Sequence, residues 1–142
     1  MSKIFVYIGY FLLFINCLIC LKSFSKNGKA FRIFTYYSLT MFAIQMAAHF
    51  MSSHKMNNLF LSHFYFIIQF ILLSLFYIKI LNDKFQKKVI SINMFLCLAL
   101  LMIHYALDWS RFYRFNTFET FIMSLPLIVY ATFHLYNMLN QK

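Results

Sequence analysis

The side chains best suited to chemistry in this sequence are histidines and acids that stand near the ends of long apolar runs. They are His49, His63, His104, Asp108 and Glu119. Imidazole and carboxylate groups together can bind a transition metal or relay protons, so these five residues are the candidate metal ligands. The HExxH spacing of a zinc-binding helix is absent from the sequence. Polar side chains also gather at helix ends because water and headgroups are there, and this simpler interpretation is favoured.

Five apolar runs must position these side chains. They cover residues 4–21, 33–51, 59–80, 89–107 and 120–139. Each is close to the length of about 20 residues that an α-helix needs to cross a hydrocarbon core of roughly 30 Å. Strands are not expected, because backbone in lipid must find its hydrogen bonds within its own segment and because the runs lack the alternation of a membrane barrel. The sequence therefore predicts an all-α polytopic transmembrane helix bundle, a single integral membrane domain over residues 1–142.

The composition excludes an ordinary soluble domain. Hydrophobic residues make up 63% of the chain and charged residues only 11%, whereas soluble domains have about 25% charged residues. The net charge of +10 does not indicate nucleic acid, because the basic residues are spread over short loops where they anchor to lipid headgroups. No nucleotide-binding loop or nucleophile elbow is present. We therefore expect the lipid bilayer as a partner, and neither nucleic acid, nor a cofactor, nor catalytic residues.

The distribution of lysine and arginine predicts the orientation. Nine of these residues fall in the first and third connections and at the C-terminus, against four in the N-terminal tail and the other two connections. The positive-inside rule then puts the N-terminus outside and the C-terminus in the cytoplasm, with the chain in the cytoplasmic (inner) membrane. In this topology the five candidate ligands come to a similar depth near the outer face, where His104 and Asp108 share one helix face.

Four residues within the runs are predicted to serve helix packing. Gln45 and Gln69 lie deeper than the histidines and should each face another helix, where such hydrogen bonds contribute about 0.6 kcal/mol on average. Ala43 and Ala47 form a small-xxx-small stretch, which lets two helix backbones approach closely, either within the bundle or across a dimer.

Two segments of the sequence combine histidine, asparagine and acidic or amide residues with aromatic residues. The third run contains Asn58, His63-Phe-Tyr65, Gln69 and then Leu-Leu-Ser-Leu-Phe-Tyr, and the fifth begins with Asn116-Thr-Phe-Glu119. The chain is similar here to multi-pass membrane proteins of Bacteroidetes-type bacteria, which have a His-x-Tyr-x-x-x-Glu pattern in a middle helix and no known activity. The resemblance implies a membrane location. Gln69 stands where the pattern has glutamate, which weakens the case for a proton-carrying role.

Three functions are compatible with these features. The favoured one is a small non-enzymatic membrane protein that acts by helix–helix association, as a homo-oligomer or as an accessory subunit with other membrane subunits. The first alternative is an oligomeric ion channel or a membrane-permeabilising effector. The second alternative is a transporter or enzyme that uses the outer-face histidines and acids.

Overall fold

The computed structural model describes the backbone of residues 2–140 and the side chains of residues 4–140. These residues form five α-helices, with one short 3₁₀-helix, η1, between the last two. The elements are α1 (Ser2–Lys22), α2 (Lys29–Ser53), α3 (Phe60–Ile80), α4 (Lys84–Leu107), η1 (Trp109–Tyr113) and α5 (Thr117–Asn140). No strand occurs in the described part of the chain. The predicted all-α bundle is therefore confirmed.

Four of the five helices are long and apolar enough to cross a membrane, namely α1 from Ile4, α3, α4 and α5. The chain is thus a membrane protein by the length and composition of its helices. α2 is long enough, but Thr35, Ser38 and Gln45 lower its apolar character. Thr35 and Ser38 are buried, so α2 turns these hydroxyl groups away from its surroundings and toward protein.

Four helices begin earlier than their apolar runs, and in two of these, α4 and α5, a polar side chain outside the run caps the helix. The backbone N–H of Phe85 donates to Asp83 over 2.9 Å, and α4 starts at Lys84. The Asn116 side chain accepts from the N–H groups of Phe118 and Glu119, at 3.1 Å and 3.3 Å. Such side-chain caps satisfy N–H groups that have no partner within the helix.

Helix α3 is the centre of the bundle, since it packs against α2, α4, α5 and η1. α1 contacts α2 and no other described helix. The buried apolar core lies between α3, α4 and α5, and its members include Phe70, Ile90, Leu101, Met123 and Tyr130. The molecule therefore consists of a packed three-helix core with an α1–α2 hairpin attached to it through α2.

Candidate functional site

Three polar side chains from three different helices meet at one end of the core. His63 lies in the first turn of α3, Tyr105 in the last turn of α4 and Glu119 in the first turn of α5. The three helices run in alternating directions, so these turns share one end of the bundle. His63 is 0% exposed and Glu119 is 1% exposed. We call these three residues the His63 network.

The network is closed by direct hydrogen bonds. Nδ1 of His63 contacts Oε2 of Glu119. The Tyr105 hydroxyl donates to the same Oε2 over 2.7 Å and lies 2.8 Å from Nδ1 of His63. The side-chain amide of Asn116 donates to the Tyr105 hydroxyl over 3.4 Å. The network thus joins α3, α4 and α5 at a single carboxylate oxygen.

The buried pair leaves two polar atoms without a partner. Nε2 of His63 and Oε1 of Glu119 have no hydrogen-bond partner among the described residues. A buried polar atom without a hydrogen bond costs free energy. The network therefore keeps one ring nitrogen and one carboxyl oxygen unused by the protein.

Aromatic rings of η1 cover the network. Phe112 stacks on the His63 imidazole with ring centres 5.0 Å apart, and its ring also meets that of Tyr105 at 5.8 Å. The Trp109 ring stacks on the Phe112 ring, with ring centres 5.5 Å apart, and Trp109 is 65% exposed. The short helix therefore separates the network from the surroundings of the bundle by two layers of rings.

A second polar cluster joins η1 to the end of α4. Arg111 donates to Asp108 over 3.1 Å and to Nδ1 of His104 over 3.1 Å. The His104 ring stacks on Phe118 at 4.7 Å. Hydrogen bonds from Ser110, together with Arg111, lower the pKa of the Asp108 carboxyl below its ordinary value. Asp108 therefore stays charged beside Arg111 at neutral pH.

The five sequence-predicted ligands are divided among three places. His63 and Glu119 meet in the network, His104 and Asp108 meet at Arg111, and His49 packs edge-on against Tyr10, with ring centres 5.2 Å apart. Within residues 4–140, no three His, Cys, Asp or Glu side chains are arranged so that they could hold a metal ion.

The four residues predicted to serve helix packing are also divided, with the two glutamines beside other helices and the two alanines exposed. Gln69 on α3 has its Oε1 buried without a partner among the described residues. Gln45 lines a cavity of about 290 Å³ between α2 and α3, together with Tyr65. Ala43 and Ala47 are exposed on the side of α2 that faces away from the bundle.

Sequence reasoning missed Tyr105, Asn116 and Phe112. Tyr105 follows the more conspicuous His104, yet it is Tyr105 that shares the buried face of α4 with Cys97 and Leu101. Spacing alone could not have found it, because Leu96, Leu100 and His104 have the same four-residue spacing on a neighbouring face of the helix.

Comparison with known proteins adds nothing to the geometry. No protein-family model, curated protein or solved structure matches the chain.

Proposed function

We propose that the chain is a non-enzymatic membrane protein that acts by helix–helix association, either with a second copy or as an accessory subunit of a membrane complex. The observation that carries this proposal is the uncovered outward face of α2. The three-helix core acts as a scaffold, and the α1–α2 hairpin presents the docking surface.

The His63 network supports the scaffold role. It joins the ends of three helices through one shared carboxylate oxygen, and the helices elsewhere share an apolar core. Two further polar pairs link α4 to α5: Asn93 with Tyr130 at 2.8 Å, and Gln86 with Asn137 at 2.8 Å. In lipid, hydrogen bonds and close packing hold helices together, because apolar burial gives no advantage there. These contacts favour a rigid core over a moving one.

The outward face of α2 carries two small residues between two exposed aromatic rings. Tyr36 and Phe50 are 54% and 63% exposed, and Ala43 and Ala47 lie between them on the same side of the helix. Small residues between two bulky rings leave space for the backbone of another helix to come close, and the close approach gains van der Waals contact. α2 also has the lowest apolar character of the five helices, so cover by protein suits it better than lipid.

The first experiment places bulkier side chains between these two rings. We expect Ala43→Leu and Ala47→Leu to shift the particle extracted in mild detergent toward a smaller mass, because leucine side chains hold the partner helix away. Blue-native electrophoresis and light scattering on a size-exclusion column measure the change. Ala131→Leu, at an exposed alanine of α5, is the matched control and should leave the mass unchanged. A strictly monomeric parent particle with no co-purifying subunit would contradict the proposal.

The proposal includes an orientation in the cytoplasmic membrane. The end of the bundle opposite the His63 network carries most of the basic residues, among them Lys22, Arg32, Lys79, Lys84 and Lys88. Cytoplasmic segments are enriched in such residues, so we expect that end, and the C-terminus, to lie inside the cell. A green fluorescent protein fused to the C-terminus should fluoresce, since it folds well in the cytoplasm. A fusion that does not fluoresce, together with an active periplasmic reporter at the same position, would show the opposite orientation.

A further inference from the structure

A basic cavity lies beside η1 at the beginning of α5. Its volume is about 290 Å³, and its lining includes His104, Arg111, Arg114 and Thr117. The backbone N–H groups of Phe118 and Glu119 at the start of α5 already donate to the Asn116 side chain, so the positive charge of the cavity comes from its arginines. Two guanidinium groups within one small cavity make it suited to a phosphate, which arginine binds through two parallel hydrogen bonds.

The two arginines differ in how many of their hydrogen bonds are already made within the protein. Arg111 is held by Asp108 and His104 through its Nε and Nη1 atoms. The two ion pairs among the described residues are His63 with Glu119 and Arg111 with Asp108. The Arg114 guanidinium is therefore not neutralised by a described carboxylate. The cavity keeps a net positive charge at neutral pH, since the lowered pKa of Asp108 accounts for one negative charge against two positive ones.

An apolar groove continues from this cavity along α5. It has a volume of about 300 Å³, is lined almost entirely by apolar atoms, and includes Thr117, Phe121, Ser124, Leu125 and Ile128. Thr117 belongs to both the cavity and the groove. With a rise of 1.5 Å per residue, the distance from Thr117 to Ile128 is roughly 16 Å, which is about half of a hydrocarbon core of roughly 30 Å. The groove thus has the depth of one lipid leaflet.

We propose that the cavity and the groove together bind one anionic phospholipid. The phosphate lies between Arg111 and Arg114, and one acyl chain follows the surface of α5 from Thr117 to Ile128. The positive charge of the cavity complements the phosphate, and the apolar groove, about as long as one lipid leaflet, matches an acyl chain. A free phosphate would use only the cavity, and a neutral lipid would use only the groove.

Three ligands distinguish these possibilities on the full-length protein purified and delipidated in mild detergent. Phosphatidylglycerol, phosphatidylcholine and inorganic phosphate are titrated separately, and bound lipid is counted by native mass spectrometry. We expect phosphatidylglycerol to bind more tightly than phosphatidylcholine, by about fivefold for each arginine, and to lose that preference at high salt. Equal binding of the two lipids, or displacement of phosphatidylglycerol by low-millimolar phosphate, would overturn the proposal.

Variants separate the headgroup site from the chain site. Arg114→Gln should lower the preference for phosphatidylglycerol about fivefold, and Arg111→Gln with Arg114→Gln should abolish it. Arg32→Gln, at an exposed arginine of the opposite end, is the matched control and should change nothing. Ser124→Phe should weaken binding of long-chain phosphatidylglycerol by blocking the groove, yet leave a short-chain form unaffected. Because Arg114 is exposed and outside the helices, its variant should fold, and an unchanged preference in that variant would refute the site.

Discussion

Replacing His63 with leucine is expected to destabilise the three-helix core by about 3 kcal/mol, because the change leaves Glu119 buried without its basic partner. Glu119 must then either remain charged in an apolar interior or take up a proton at a cost in free energy. The Tyr105 hydroxyl, which donates to Oε2 over 2.7 Å, is the only strong partner that remains in the network. Leucine fills much of the volume of the imidazole, so the effect reports the lost polar partner and not a cavity.

The companion variants make this prediction specific. Glu119→Leu should cost less than His63→Leu, since histidine can stay neutral while Tyr105 still bonds to Nδ1. The double variant should be more stable than His63→Leu alone, because it leaves no unpaired buried charge. SDS titration of the protein in mixed micelles, followed by the fluorescence of Trp109, gives the free energies of unfolding.

An exposed hydroxyl provides the control for the double-mutant cycle. Oγ of Thr132 on α5 is exposed and donates to the carbonyl of Ile128 in its own helix, so Thr132→Ala should be nearly neutral. Strictly additive losses for the two leucine variants would mean that His63 and Glu119 do not act as a pair. If His63→Leu were as stable as the parent, the His63 network would not stabilise the three-helix core.

Replacing Phe112 with alanine is expected to open the cover over the His63 network and to destabilise the protein by about 3 kcal/mol, the lower end of the range for Phe→Ala. Phe112 stacks on His63 and also meets the rings of Phe64, Tyr105 and Trp109. Its loss removes the layer that lies directly on the imidazole. The unused Nε2 of His63 then becomes accessible to small molecules from the surroundings of the bundle.

Oxidation by hydroxyl radicals, mapped by mass spectrometry, measures this accessibility, because the radicals attack an exposed imidazole ring whichever ring nitrogen carries the hydrogen. His63 should be unmodified in the parent and modified in Phe112→Ala, while the exposed His54 reacts in both and serves as the internal reference. Phe115→Ala, which removes a ring that is 58% exposed in the same connection, is the matched control and should leave His63 protected. Reaction of His63 in the parent at the rate of His54 would show that η1 does not cover the network.

The sequence by itself determined the class of this protein and the position of each polar residue along its helix. Long apolar runs force helices, because each backbone amide in lipid must bond within its own segment. The polar caps Asp83 and Asn116 then extended α4 and α5 beyond those runs. Depth follows directly from position in a helix, since each residue adds 1.5 Å, so His63 and Glu119 were expected at the same end of the bundle.

Only the tertiary structure decided which of these residues meet. Contact between helices depends on the rotation of each helix about its axis, and neighbouring residues differ by about 100° because a turn holds 3.6 residues. Helices that are apolar on all sides carry no stripe from which that rotation can be read. For this reason the packing of α4 against α3 and α5 turned Tyr105, and not His104, toward His63 and Glu119. His104 was turned instead toward Arg111, where the basic cavity opens.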